Sequence, residues 1–353
     1  MRDHERRLVL DYESLHSMPI GVHEVHVWWD QVLHNWLVGK KVDLSEFEAA
    51  GDLIEPRVME MIKHPNIVDV RAVANVPGYP QPMRVVEILM PYFEQGSITD
   101  ALERGETFAP TKALRIIQAA LQGLTEMHEH HGILHRDIKS PNLFLTGDAD
   151  LVKIGDLGVA GAMDASGATP AIQVAHMYAP PEMMVGPRVT RAADLYSMGL
   201  VLLELLAGKF DYDSYTSTEV VDALQQGRPP LRESDRQLPA WVCRRLRRLV
   251  LKATHPDPTQ RFSSARDMSA ALASVKIADW REVEPNVWQA PHLHRNEHWK
   301  ITATPSKDGG IELATFRRRA ASWRRNGEAL VVPSIGHPQV VSYFEKVNNR
   351  AVS

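Results

Sequence analysis

The 353-residue chain has 40 Lys and Arg against 44 Asp and Glu, a formal net charge of −4, which is too small to make nucleic acid or a membrane surface its main partner. Its single cysteine, Cys243, excludes a framework of intramolecular disulfides and suits a reducing compartment. The longest apolar run, residues 195–207, carries Glu204 and is shorter than the ~20 residues of a membrane span, so we expect a cytoplasmic protein with no membrane partner.

Three short apolar runs open the chain, at Leu8–Leu10, Val22–Trp29 and Trp36–Val38. Turn-forming residues around Pro19 and Gly39 separate them. This spacing predicts three antiparallel strands.

Residues 45–63 mix acidic and apolar side chains at helical spacing, which predicts a helix capped by its first residue. Because Pro56 is unfavourable inside a helix, this helix either begins near Glu55 or is kinked there. Two further strands are predicted over Val68–Ala74 and Met83–Met90.

A second helix is predicted over Thr111–His130, where apolar residues recur three and four positions apart. It leads into the segment His135–Asn142, in which Asp137 is followed two residues later by Lys139. An acid, a cation and the amide of Asn142 at this spacing form a set suited to metal and phosphate chemistry.

Asp156 adds a second acid, just before Gly158. Between it and the first cluster, the apolar runs Leu143–Leu145 and Leu151–Ile154 flank a Gly-Asp turn and predict two short strands. A chain that turns back on itself in this way can bring all four polar groups to one point.

The segment His135–Asn142, followed by Asp156-Leu157-Gly158, resembles the catalytic loop and magnesium-binding segment of eukaryotic-type (Hanks-type) Ser/Thr protein kinases, whose patterns are H-R-D-L-x-x-x-N and D-F-G. The resemblance continues to about Val275. It implies an α+β, bilobal fold, with an N-lobe over 1–90, a hinge and C-lobe over 91–275, and an unassigned extension over 276–353.

The resemblance also implies the cofactors ATP and Mg²⁺ and a role for each polar group. Asp137 would orient the acceptor hydroxyl or accept its proton, and Lys139 would neutralise charge on the transferred phosphoryl group. Asn142 and Asp156 would hold Mg²⁺. A lysine at position 139 resembles Ser/Thr-specific rather than Tyr-specific kinases.

The nucleotide phosphates would be held by Lys40, with Lys41 as the alternative. Neighbouring residues of a strand point to opposite faces, so only one of the two can face the cleft. By counting back from the His64-Pro65 turn, Glu55 would be the helix glutamate that pairs with this lysine, and Glu60 is the competing candidate.

The adenine would meet a hinge that begins at Met90, the gatekeeper position, and would contact the backbone as far as Tyr92 and Phe93. The roof over the phosphates departs from the family. Met18, Ile20 and His23 stand where three glycines are expected, and only Gly21 remains in the loop. Glycines allow backbone amides to approach phosphates closely, so their loss weakens this contact.

Met163–Met177 is rich in small residues and resembles a mobile activation segment. Ser166 and Thr169 are candidate autophosphorylation sites, and Arg136 is implied to pair with phosphate on this segment. Ala175 stands where many Ser/Thr kinases have a threonine that contacts the catalytic loop.

Three further residues have implied structural roles. Glu182, in the element that resembles A-P-E, would pair with Arg261. Asp194, at the start of a buried helix, would brace the backbone of the catalytic loop. A helix over Ser263–Ala273 ends the resemblance.

The extension has a net charge of +4, whereas the kinase-like part has −8. Trp299–Thr304 and Ile311–Phe316, joined by Asp-Gly-Gly, predict a β-hairpin. Arg317–Arg319 and Trp323 could bind nucleic acid or an acidic partner. The simpler interpretation is a β-rich appendage whose tryptophans dock on the C-lobe and whose arginines are solvated.

Three functions compete at this stage. The intact set of acids, lysine and amide favours a Ser/Thr kinase that phosphorylates a protein hydroxyl. The missing glycines and Ala175 favour a pseudokinase that serves as a binding scaffold. The basic extension would suit an effector that binds nucleic acid or a partner protein.

Overall fold

The structure, a computed structural model, describes residues 12–18, 24–32, 34–45, 55–147, 152–307 and 309–353. A β-rich first lobe is followed by a helical second lobe and then by a further β-sheet region. The predicted α+β class is therefore confirmed. Within the described residues, no helix combines the length and apolarity that crossing a bilayer requires.

The first lobe is a five-stranded antiparallel sheet. Its strands are β1 (Tyr12–Met18), β2 (Val25–Asp30), β3 (Asn35–Asp43), β4 (Ala72–Asn75) and β5 (Val85–Pro91). They lie in the order β1-β2-β3-β5-β4. The predicted strands over Val22–Trp29 and Trp36–Val38 are confirmed as β2 and β3. The predicted run Leu8–Leu10 lies outside the described residues, and β1 begins after it.

The predicted strand over Val68–Ala74 is wrong in its first half. Pairing with β5 begins at Ala72, because the Val68 amide donates instead to the carbonyl of Ile154 at 2.9 Å. Helix α1 spans Glu55–Met61. Pro56 thus lies in its first turn, where the N–H that proline lacks would have no partner within the helix.

The second lobe is organised around a buried helix. Its helices are α2 (Ile98–Glu103), α3 (Pro110–Thr125), α4 (Glu182–Val185), α5 (Arg191–Ala207), α6 (Ser217–Gln225), α7 (Arg244–Ala253) and α8 (Ala265–Ala273). Helix α3 continues into one π-helical turn, Glu126–His130, so the predicted helix over Thr111–His130 is confirmed. Helix α5 is buried from Ala192 to Leu206 and forms the floor on which the catalytic loop rests.

Short strand pairs frame that loop. They are β6 (Ile133–Leu134) with β9 (Gly161–Ala162), β7 (Leu143–Leu145) with β8 (Val152–Ile154), and β10 (Ala168–Pro170) with β11 (Arg188–Thr190). The two strands predicted after the catalytic cluster are confirmed as β7 and β8. Their antiparallel pairing places residue 156 beside the loop that precedes β7.

The extension contains a six-stranded sheet and a helix. Its elements are β12 (Arg281–Glu284), β13 (Val287–Pro291), β14 (His298–Pro305), β15 (Ile311–Arg318), β16 (Arg324–Arg325), β17 (Leu330–Val332) and α9 (Pro338–Ala351). The predicted hairpin is confirmed as β14 and β15. Helix α9 was not predicted.

The extension has an apolar core of its own. The apolar core of the second lobe extends to Ile277, and a separate cluster of buried apolar residues begins at Ala278. Trp280, Trp288 and Trp299 are buried in this second core, and Phe344 of α9 packs edge-on against the first two. The expectation that these tryptophans dock on the C-lobe is confirmed only in part. Their own sheet and helix cover most of them, while Ala240 and Trp241 of the C-lobe pack against the same cluster.

Candidate active site

Two backbone amides of the catalytic loop donate hydrogen bonds to one carboxylate of helix α5. Asp194, 1% exposed, accepts the amides of His135 at 2.9 Å and Arg136 at 2.8 Å, and its Oδ2 lies 2.8 Å from His128 Nε2. Burial raises the pKa of Asp194, but His128 and, to a smaller extent, His135 outweigh burial and hold that pKa below its ordinary value. The predicted bracing role of Asp194 is confirmed.

Arg136 needs this support because its backbone is in the left-handed region, with φ of +67°. An L-residue other than glycine adopts that region at a cost in free energy. One hydrogen bond from its amide to Asp194 on one side and three from its guanidinium on the other hold the residue there.

Asp137 lies at the centre of the loop and is 9% exposed. Lys139 Nζ donates to its Oδ2 at 2.7 Å, and Asn142 Nδ2 donates to the same oxygen at 3.1 Å. Its other oxygen, Oδ1, lies 3.0 Å from Nε2 of His176. Burial raises the pKa of Asp137, but His176 and Lys139 outweigh burial and keep it below its ordinary range, so the side chain is an ionised carboxylate.

Lys40 of β3 reaches across to the second acid. Its Nζ lies 2.6 Å from Oδ1 of Asp156. Lys41 points the other way and pairs with Glu24 at 2.6 Å. The strand alternation thus sends the first lysine into the cleft and the second to the edge of the sheet, as expected for the two candidates.

Asp156 and Asn142 are neighbours through the backbone, because the Gly155 amide donates to the Asn142 carbonyl at 2.9 Å. Burial raises the pKa of Asp156, but Lys40 outweighs burial and keeps it below its ordinary value. Asn142 uses its amide nitrogen on Asp137, which leaves its side-chain oxygen as the atom that can ligate a metal.

The side-chain oxygen of Asn142 and the ionised carboxylate of Asp156 are a donor set that fits Mg²⁺. This ion is usually bound by one or two carboxylates together with substrate phosphates rather than by a protein cage. The described part of the chain has no cluster of three or more His, Cys, Asp or Glu that could hold a metal ion.

The helix glutamate is only partly described. Glu55 begins α1, but its side chain lies outside the described residues. The competing candidate, Glu60, is exposed and pairs with Lys63 at 3.2 Å on the solvent side of the same helix. In the roof, Met18 ends β1 opposite Val25, while Ile20, Gly21 and His23 lie outside the described residues.

The predicted hinge lies at the end of β5. Met90 pairs with Val38 of β3, and the Tyr92 amide donates to the Trp36 carbonyl at 3.3 Å. The Phe93 ring stacks on Phe144 of β7, with ring centres 5.3 Å apart and 18° between the planes. This stack ties the hinge to the segment that follows Asn142, on the floor of the cleft.

Arg136 of the catalytic loop contacts the activation segment and the residues just before it. Arg136 donates to the carbonyls of Val159 at 2.5 Å, Ala160 at 3.1 Å and Pro170 at 2.9 Å, so its partners here are carbonyls rather than a phosphate. Thr169 is 1% exposed. A Cβ on Gly161 would lie 2.6 Å from the Thr169 hydroxyl and 2.7 Å from the Arg136 guanidinium carbon, which shows how closely these groups pack.

Ser166, the other candidate, differs from Thr169 in its exposure. It lies at the tip of the turn before β10 and is exposed. Its hydroxyl donates to Asp164 at 2.6 Å. Of the two predicted phosphorylation sites, only Ser166 presents its hydroxyl to solvent in this structure.

The remaining support of the site is as predicted. Arg261 donates to both carboxylate oxygens of Glu182, at 2.6 and 2.8 Å. The sequence interpretation missed a second buried polar cluster beneath the catalytic loop, where the fully buried Glu204 accepts hydrogen bonds from the hydroxyls of Ser140, Tyr178 and Tyr212. A glutamate inside an apolar helix was the signal that could have revealed it.

His176 is the other residue that sequence reasoning missed. It follows Ala175, the position at which the family pattern has a threonine. No motif marks it, and only its proximity to Tyr178-Ala179-Pro180 hinted that it could reach the catalytic loop. Ala175 itself is exposed.

Several basic residues of the extension have partners within the extension itself. Glu297, 8% exposed, accepts hydrogen bonds from Arg317 at 2.6 and 2.7 Å and from Arg319 at 2.9 Å. Arg318 and Lys300 lie over the Trp323 ring, each 4.8 Å from its centre. These contacts favour the interpretation of the extension as a folded appendage over that of a phosphate-binding surface.

Comparison with known proteins agrees with this geometry. Residues 32–273 match the family model for the protein kinase domain. A serine/threonine-protein kinase of Corynebacterium efficiens is 31% identical over 64% of this chain and 42% of its own length. PknB of Mycolicibacterium smegmatis is 32% identical over 72% of this chain and 41% of its own, and PrkC of Bacillus subtilis is 27% identical over 64% and 33%. The alignments thus span about half or less of these curated relatives.

Proposed function

This chain belongs to the protein kinase family, and from that premise we propose that it transfers the γ-phosphate of ATP, with Mg²⁺, to a serine or threonine hydroxyl of a protein. The convergence of Asp137, Lys139, Asn142 and Asp156 below Lys40 carries the proposal. A chain that had lost the reaction would be under no constraint to keep both the cluster of Asp137, Lys139 and Asn142 and the pair of Lys40 and Asp156.

Asp137 orients the acceptor hydroxyl and receives its proton, because its carboxylate is ionised and held rigidly by the loop. Lys139, in contact with that carboxylate, places its charge where negative charge develops on the transferred group. Phosphoryl transfer depends mainly on alignment and charge neutralisation, so these two side chains supply most of what the loop must provide.

Lys40 positions the α- and β-phosphates from above. In this structure it pairs with Asp156, so nucleotide binding would exchange this ion pair for contacts with phosphate and metal. When bound by Asn142 and Asp156, Mg²⁺ would neutralise the phosphate oxygens.

The acceptor class follows from two observations. Lys139 occupies the position typical of Ser/Thr-specific kinases, and the relatives reported above are named as serine/threonine-protein kinases. Ser166, exposed at the tip of the activation segment, is the site we propose for autophosphorylation.

Transfer of label from γ-labelled ATP, with Mg²⁺ and dephosphorylated casein as the acceptor probe, tests the proposal. Asp137→Ala should lower the rate by about 10²–10⁴-fold, the usual contribution of a positioned acid or base. Asp211→Ala, which changes an exposed acid of the same lobe, should leave it unchanged. Label that persists in Asp137→Ala would refute the assignment.

A second candidate function is a nucleotide-binding scaffold without transfer. It is favoured by the loss of three glycines at positions 18, 20 and 23 and by the burial of Oδ1 of Asp137. Binding of a fluorescent ATP analogue by the wild type, together with no label transfer to casein or to the chain itself, would favour this candidate over the kinase.

A further inference from the structure

His176 covers Oδ1 of Asp137, the carboxylate oxygen that receives no hydrogen bond from the side chains of the catalytic loop. Lys139 and Asn142 both donate to Oδ2. Oδ1 is buried and faces the buried Nε2 of His176 at 3.0 Å. The two atoms are close, but they are not aligned as a good hydrogen bond. Neither atom has a hydrogen-bond partner elsewhere among the described residues. An acceptor hydroxyl therefore has no access to Asp137 while the imidazole is in this place.

The hydrogen bonds of the ring fix which nitrogen carries its proton. Nδ1 of His176 accepts the Tyr178 amide at 3.2 Å. An accepting nitrogen has no proton, so in the neutral ring the proton is on Nε2, the atom that faces Asp137. The seated ring thus presents an N–H to the carboxylate without having to be charged.

Asp137 does not need His176 to be oriented. Its backbone amide donates to Nδ1 of His135 at 3.2 Å, and Asn142 donates to its carbonyl at 2.9 Å as well as to its side chain. With Lys139 also on Oδ2, the carboxylate is already fixed on one side. His176 instead occupies the space beside the other carboxylate oxygen, Oδ1.

The His176 ring can move away from Asp137 into solvent. The His176 side chain is 22% exposed and belongs to a stretch, residues 171–181, that forms no helix or strand. Rotation about its side-chain bonds would carry the ring toward solvent without crossing the core. Ala175, the preceding residue, is exposed and offers no side chain that would compete for Asp137.

We propose that His176 is a gate on the acceptor site. When seated, it occupies the position on Asp137 that the acceptor hydroxyl must take, and the acceptor is accommodated only after the ring has swung out. The gate rests on the proposed kinase function. It acts on the acceptor and leaves the nucleotide, which is held by Lys40, Asn142 and Asp156, outside its reach.

Kinetics of the full chain with casein and labelled ATP test the gate. His176→Ala should raise kcat/KM for casein, by about tenfold if the seated state outnumbers the open state ten to one, and leave the KM for ATP unchanged. His176→Gln, whose amide retains a donor, should stay close to the wild type, as should Gln173→Ala, an exposed change in the same segment. A fall in kcat in His176→Ala would instead make His176 a positioning residue, and an unchanged kcat/KM would show that the ring blocks nothing; either result overturns the gate.

A readout without activity separates the gate from the kinase function. Nitrogen NMR of the histidine rings should place the His176 proton on Nε2 in the wild type, and Asp137→Asn should shift that signal. An unshifted signal would overturn the contact. If the shift is present and every variant, the wild type included, transfers no label, the kinase proposal fails while the contact between His176 and Asp137 stands.

Discussion

Two adjacent lysines of β3 have opposite partners. Lys40 contacts Asp156 within the cleft, whereas Lys41 contacts Glu24 at the edge of the sheet. Because only the first can reach the nucleotide phosphates, Lys40→Met should lower the rate of phosphoryl transfer by about 10²–10³-fold, the usual effect of removing one preorganised electrostatic contact.

Lys41→Met is the matched control for this prediction, since it makes the same chemical change one residue away. Initial rates with labelled ATP and casein, measured beside nucleotide affinity, check both variants. Equal losses in the two would mean that the alternation of β3 does not decide which lysine serves the nucleotide.

At the scale of single residues, the sequence predicted the catalytic residues that lie at fixed distances from one another along the chain. Asp137, Lys139 and Asn142 are three members of one short loop, so a local pattern is enough to identify them. His176 escaped prediction because its contact with Asp137 joins positions 39 apart, and nothing in its own neighbourhood requires a histidine. The pairing of Glu55 with Lys40 stays a prediction, because counting from a turn does not determine a tertiary contact.

The activation segment shows how an element decides between residues of the same type. Thr169 is buried in β10 against Arg136, whereas Ser166 is exposed at the preceding turn. After incubation with Mg²⁺ and ATP, tandem mass spectrometry should therefore find phosphate on Ser166 and none on Thr169. Phosphate on Thr169 would show that β10 separates from β11 during the reaction.

Ser166→Ala should leave the rate of transfer to casein unchanged, because the Arg136 guanidinium is already held by the carbonyls of Val159, Ala160 and Pro170. Thr169→Ser, which keeps a hydroxyl at the buried position, serves as the comparison. A marked loss of transfer in Ser166→Ala would mean that phosphate on Ser166 orders the segment more firmly than those carbonyls do.

Helix α5 carries the loop through Asp194. Asp194→Asn replaces one accepting oxygen by an N–H group that faces backbone amides. We expect a loss of about 3–5 kcal/mol in the free energy of unfolding, as when one partner of a buried ionic contact is removed, and a loss of transfer, since Arg136 would no longer be held at positive φ. Urea unfolding beside Asp222→Asn, an exposed change in α6, measures this; equal stability of the two variants would contradict it.

For the whole molecule, strong periodicity and turn residues predicted more than composition did. The β14–β15 hairpin followed from its Asp-Gly-Gly turn, and α3 from its apolar spacing. Helix α9 was missed although Val340, Phe344, Val347 and Ala351 recur four and three positions apart, because the tryptophans and arginines of the extension drew the interpretation toward a surface. The first half of the strand predicted over 68–74 failed for a tertiary reason, since the Val68 amide is taken by Ile154.

The contact between Glu297, which precedes β14, and Arg317 of β15 should stabilise the extension in a pH-dependent way. The hydrogen bond with Arg317 is the main cause that lowers the pKa of Glu297 from 4.5 to about 2. A lowered folded-state pKa contributes stability that is complete above the ordinary pKa and is lost as the pH falls toward the folded one. The melting temperature of the wild type should therefore exceed that of Glu297→Gln above pH 4.5, and the difference should shrink as the pH falls to 2. Glu284→Gln, an exposed change in β12, should track the wild type throughout, and a difference for Glu297→Gln that stays constant with pH would show that Glu297 acts through packing rather than charge.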